Sequence, residues 1–180
     1  MKVLACVLLF LFAFSSNAQS IEEIRIAFHG VVLNPDNSRS FHDLLKEIDN
    51  PTPTVKAYQA VSEAMLAQVV WNPFTKLSQV SKYNNQMEMA IIDDADNIEI
   101  RFLRLAIESN LPSFLGMSTH MDEDLDQIIA NLSSVSNMNV DSKFGRYIFY
   151  FLESTGLCDD SQIAQMKKGF QQSVVATEGY

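Results

Sequence analysis

The chain has 180 residues, 47% of them hydrophobic, with 22 acidic against 13 basic residues and a formal net charge of −9. That acidic balance excludes general binding to nucleic acid or to an anionic membrane, because phosphate groups demand a basic surface. Length and apolar content suffice for one domain with its own core.

Residues 1–18 read as a signal peptide. Lys2 gives a short positive region, Val3 to Phe14 an uncharged apolar core, and Ser16-Asn17-Ala18 the small residues that a signal peptidase requires. The apolar run is too short to span a bilayer, and no later stretch reaches transmembrane length, so no integral membrane segment is expected after cleavage. Cleavage removes Lys2, leaving 12 of the 13 basic residues against all 22 acidic ones. It also removes Cys6. Cys158 is then the only cysteine, so an oxidising compartment offers no internal disulfide. The expected organisation is a single helical domain over 19–175 with a frayed tail at 176–180, located in the periplasm or secreted. A mature chain of about 160 residues buries roughly 70% of its unfolded surface.

The apolar spacing is helical almost throughout. Ile21, Ile24, Phe28 and Val31 or Val32 form one stripe, which ends at Asn34-Pro35-Asp36-Asn37. Ser40 is placed to cap a short helix carrying Phe41, Leu44, Leu45 and Ile48. Thr54 to Val70 is rich in good helix formers. Asn72-Pro73 reads as an N-cap with proline in the first turn, opening a helix to about Ile92 whose apolar face is Phe74, Leu77, Val80, Met87 and Ile91. Asp96 and Glu99 are spaced as a capping box for the next helix, which ends by Asn110 because Leu111-Pro112 forces extended backbone. The connection Leu111 to His120 is unusually apolar. Asp122, Asp141 and Asp160 or Ser161 open the last three helices. Tyr147-Ile148-Phe149-Tyr150-Phe151 has strand-like composition, but the spacing of Phe144, Tyr147, Ile148 and Phe151 favours a buried helix.

About eight helices make an all-α array. Adjacent pairs read as helix hairpins stacked like degenerate tetratricopeptide repeats, with Met87, Ala90 and Ala95 at the offsets of that repeat's late positions. Ala57-Tyr58, Trp71-Asn72-Pro73 with Lys76, Asp96-Asn97-Ile98-Glu99-Ile100-Arg101-Phe102-Leu103-Arg104 and Pro112-Ser113-Phe114-Leu115-Gly116 together resemble the landmarks of a family of short exported bacterial proteins, sometimes labelled tetratricopeptide-like and of unknown function. The resemblance implies a helical fold and export, and transfers no activity, substrate or catalytic residue.

Arg101 and Arg104 draw most attention, since a guanidinium among apolar neighbours needs a partner or water. They share a helix face that Glu108 continues as the i+4 neighbour of Arg104. Either they pair with Glu108, Glu99, Asp93, Asp94 or acids of a neighbouring helix, or one of them faces a pocket under the Leu111–Met117 loop and holds an anionic ligand or a partner's carboxylate.

The run Asp122-Glu123-Asp124-Leu125-Asp126 alternates carboxylates as a calcium loop does, but Gln127 and Ser133 occupy the positions that need glycine and glutamate; it reads as a solvated helix start. His29, His42 and His120 form no metal-ligand spacing. Cys158 beside Asp159 and Asp160 is a poor nucleophile. Asn131-Leu132-Ser133 has the form of a glycosylation sequon by chance. Trp71, Phe74, Phe144, Phe149 and Phe151 are expected in the core. No catalytic constellation, metal site or cofactor motif is visible. The expected function is therefore non-enzymatic binding of a protein or peptide in the cell envelope, with Arg101, Arg104, Phe114 and Met117 as candidate contacts. The alternative is a small periplasmic enzyme or carrier holding an anionic molecule through Arg101 or Arg104.

Overall fold

A computed structural model describes residues 20–112, 116, 118–133 and 142–177. The expected signal peptide, Phe114, Met117 and the expected cap Asp141 lie outside the described residues. Within them the chain forms eight α-helices: α1 (Ile21–Leu33), α2 (Ser38–Lys46), α3 (Pro53–Val69), α4 (Pro73–Asp93), α5 (Ile98–Glu108), α6 (Met121–Leu132), α7 (Ser142–Thr155) and α8 (Asp160–Thr177). A 3₁₀ turn at Pro35–Asn37 joins α1 to α2. The described residues contain no strand. The aromatic run Tyr147–Phe151 lies inside α7, as its period of three to four residues requires.

Local chemistry sets most helix starts. At α1 the Ser20 hydroxyl accepts the Glu23 N–H, and the Glu23 carboxylate accepts the Ser20 N–H, closing a capping box. Thr52 caps α3 and Asn72 caps α4, each followed by a proline that loses nothing in a first turn. Four starts differ from the sequence expectation. Helix α6 begins at Met121 after His120, with Asp122 inside its first turn and no side-chain cap. Ser40 lies inside α2, which begins at Ser38. Asn97, not Asp96, caps α5, its Oδ1 accepting from the N–H groups of Glu99 and Ile100 at 3.1 and 3.3 Å. Asp159 accepts from Ser161 and Gln162 ahead of α8.

The core is organised on α5. All of its residues except Ala106 are buried, including Arg101, Arg104, Glu99 and Glu108. Phe102 is fully enclosed and meets the rings of Phe144, Tyr147 and Phe151 edge-on, at centroid distances of 5.8, 5.8 and 5.2 Å. The α3–α4 hairpin is the most extensive helix contact; α5 packs on α3 and pairs with α6. Ala57, Ala60, Ala64 and Ala67 keep α3 narrow along much of its length. Gly169 does the same for α8 against the end of α6: a Cβ there would run into the backbone of Leu132 and Ser133.

Candidate functional site

Two regions of the molecule stand out chemically, one for buried charge and one for exposed carbon. The first is the seam between α5 and α6. Asp124, with none of its surface exposed, accepts from both predicted arginines: Arg101 Nη1 at 2.9 Å, and Arg104 Nε and Nη2 at 2.7 and 2.8 Å. Arg101 also donates from Nε to the Ala95 carbonyl at 2.7 Å and from Nη1 to Glu123 at 2.9 Å. Arg104 lies 3.6 Å from Glu88. Arg104 thus holds Asp124 in the bidentate manner that suits Arg to carboxylate, while Arg101 shares Nη1 between Asp124 and Glu123.

The partner is an acid of a neighbouring helix, one of the alternatives the sequence left open without naming Asp124. Glu108, the i+4 neighbour of Arg104, turns instead to the start of α6, where its carboxylate accepts the His120 N–H at 3.1 Å and meets His120 Nδ1 at 3.0 Å. The acidic run that reads as a solvated helix start is therefore half wrong: Asp122 and Glu123 are exposed, but Asp124 points into the core. Helical periodicity held the signal, since Asp124 shares a face with the apolar Ile128. The arginine partnership holds the Glu123 carboxyl below its ordinary value, first through the hydrogen bond to Arg101. Burial raises the Tyr83 phenol well above its usual range, helped by the charge of Glu108.

The opposite end of α5 repeats the arrangement. Glu99 takes Arg25 of α1 on both oxygens, at 2.9 and 2.6 Å, and Tyr58 OH of α3 at 2.8 Å. Arg25 stacks over Phe144 with its guanidinium carbon 4.6 Å from the ring centre. Burial, then the Glu99 charge, pushes the Tyr58 phenol well above its ordinary value. A third, smaller cluster joins His42 to Glu63 at 3.3 Å, with Lys82 3.8 Å from the other Glu63 oxygen.

The second region is the turn between α3 and α4. Every residue from Trp71 to Ser78 is exposed. Trp71 exposes 98% of its surface, Phe74 83% and Leu77 60%. This corrects the expectation that Trp71 and Phe74 belong to the core; Phe144 and Phe149 are buried as expected, and Phe151 is half-buried. The buried positions of α4 begin only at Val80 and continue through Tyr83, Met87 and Ala90, so the apolar residues of its first turn and of the turn before it are left outside the core.

Beside these side chains runs a groove of about 560 Å³, floored by Ala64 and Ala67 of α3 and walled by Leu77 and Val80 of α4 and by Ile107 and Leu111. Its lining is overwhelmingly carbon, with Gln68, Lys76 and Asn110 as polar members. Pro112, the residue before the segment that carries Phe114 and Met117, also lines it.

Among the described residues no three His, Cys, Asp or Glu side chains are grouped to hold a metal ion, and no helix is long and apolar enough to cross a membrane. Cys158 is half-buried, and burial followed by the Asp159 charge raises its thiol pKa. Searches of protein families, of curated proteins and of solved structures find no match to this chain.

Proposed function

We propose that this chain is an exported, non-enzymatic helical protein that binds a protein or peptide partner in the groove between α3, α4 and the end of α5. The observation that carries the reading is an apolar groove with Leu77 and Pro73 in its lining and the exposed Trp71 and Phe74 beside Pro73 in the chain. Exposed apolar patches of this kind mark interaction surfaces, because leaving large rings in water is costly unless something covers them. A lining with so few polar groups suits apolar side chains better than a polar substrate, whose orientation needs convergent hydrogen-bonding groups. Phe114 and Met117 follow Pro112 in sequence and belong to the proposed contact.

The alternative of an anion carrier gains little, since both arginines are buried and donate to Asp124, with Arg101 also donating to Glu123 and the Ala95 carbonyl. Export rests on the leader-like residues 1–18 and on the resemblance to exported bacterial proteins, whose tetratricopeptide-like label also fits helix hairpins such as α3–α4.

Panning a random peptide library against the purified protein tests the site, with Ala67→Phe and Leu77→Asp as counter-selections. The expected peptides carry apolar residues at helical spacing and bind each variant at least about 30-fold more weakly, the loss of one interface hot spot. Peptides that bind the variants equally well would overturn the site. Export predicts that protein recovered from the cell envelope begins near Gln19 when its N-terminus is sequenced.

A further inference from the structure

Trp71 and Phe74 flank Pro73, a lining residue of the groove, and that juxtaposition suits one kind of occupant. Trp71 stands at the turn between α3 and α4, and the groove opens next to it between Ala64 and Ala67 on one helix and Pro73 and Leu77 on the next. A two-fold contact brings the same patch of surface onto itself, so that patch must supply both the knob and the hole. This one does. A foreign partner would have to bring a ring for the groove and a recess for Trp71 independently, whereas a second copy brings both by construction.

Charge points the same way. Two copies of a chain with net charge −9 repel each other over most of their surface. Between Glu63 and Lys82, however, the only charged residue is Lys76. This face is where two copies approach against the least repulsion. The volume is also adequate: about 560 Å³ falls within the roughly 300–1,000 Å³ of pockets that enclose drug-sized molecules, so an indole and a phenyl ring fit together.

We infer that the occupant of the groove is a second copy of this chain, in a two-fold dimer where Trp71 of each copy enters the groove of the other. The inference rests on the reading of the groove as an interaction site. Phe74 and Leu77 flank the exchanged rings, and pairing removes Trp71, Phe74 and Leu77, three of the exposed large apolar side chains, from water.

Trp71 is the only tryptophan of the chain, so indole emission reports on this face alone. Sedimentation equilibrium and Trp71 emission are followed on the purified protein from nanomolar to hundreds of micromolar concentration. The expected result is a rise to twice the monomer mass, with a blue shift of emission over the same range. Trp71→Ala lacks the knob and Ala67→Phe fills the hole; each weakens pairing at least about 30-fold, with circular dichroism confirming the helical fold. Leu77→Asp replaces Ala67→Phe as the hole variant if that chain fails to fold. Mixing the knob-less and hole-filled variants restores one of the two contacts, so a mixed pair forms and the remaining tryptophan shifts to the blue.

Wild type that stays monomeric throughout overturns the inference, as does a dimer that both variants leave intact or a mixture that does not pair. A monomer whose emission shifts only when a panned peptide is added overturns the second copy and keeps the interaction site. Emission already blue-shifted where the mass is that of the monomer shows Trp71 covered within the single copy, and overturns both.

Discussion

The α5–α6 seam and the α3–α4 turn invert the usual distribution of side chains, in opposite directions. At the seam, charge is inside: Asp124 and two arginines, all more than nine-tenths buried, satisfy one another through three short hydrogen bonds. At the turn, carbon is outside: two aromatic rings and a leucine are exposed. Buried charge matched by its neighbours belongs to the fold; exposed apolar surface is where the proposed partner would bind. The features that draw the eye in the sequence, Arg101 and Arg104, therefore serve as structural clamps, and the side chains that read as core, Trp71 and Phe74, are the better functional candidates.

The largest expected effect is at the seam. Asp124→Ala leaves two guanidinium groups buried without their shared acceptor and should lower the unfolding free energy by about 3–5 kcal/mol, measured by urea titration. Replacing Asp124, Arg101 and Arg104 together by apolar residues of similar volume should restore most of that loss. A triple variant as unstable as Asp124→Ala would mean that the seam is more than a matched set.

At the other end of α5, Tyr58→Phe removes one hydrogen bond to a charged acceptor while Arg25 stays in place. A loss of about 1.5–3 kcal/mol is expected. An unchanged urea midpoint would mean that Glu99 is held by Arg25 alone.

Across the divide, Phe74→Ser should change stability by no more than about 0.5 kcal/mol, as at an ordinary surface position, while weakening binding at the groove. If it unfolds the protein as a core substitution does, the contrast between the two regions fails.

The smallest effect is a pH dependence at the edge of the seam. The Glu123 carboxyl is held below its ordinary value of 4.5 by Arg101. A carboxyl with a lowered folded value stabilises above its ordinary value and loses that contribution as pH falls through the folded one. The advantage of wild type over Glu123→Gln should therefore be full at neutral pH and vanish in acid below 4.5. Because Glu123 is more than half exposed, solvent screening keeps the difference small. A difference that does not vary with pH would remove Glu123 from the ionised network.

The helices were legible because their signals are local. Pro53 and Pro73 sit where a first turn tolerates them, Asn72 reaches its own helix, and the i, i+3, i+4 spacing of Phe144, Tyr147, Ile148 and Phe151 outweighs a strand-like composition. The candidate site was much less legible. The Arg101 and Arg104 partnership with Asp124 spans 23 and 20 residues, and several nearer carboxylates were equally available on paper. In the same way Asn97 outcompetes Asp96 as the cap of α5, with its own side-chain nitrogen held by Thr54 of α3.

By itself the sequence determined that the chain is helical, roughly where each helix starts and stops, and that α5 has too many apolar faces to lie anywhere but the centre. These follow from backbone hydrogen bonding and the period of the apolar residues, which operate over a few residues at a time. Only the tertiary structure decided which carboxylate each arginine takes and which apolar residues remain uncovered. Period marks the face of a helix that is apolar, but how far the neighbouring helices extend determines how much of it is buried. On α4 the buried positions begin at Val80, and Trp71, Phe74 and Leu77 are left to the solvent.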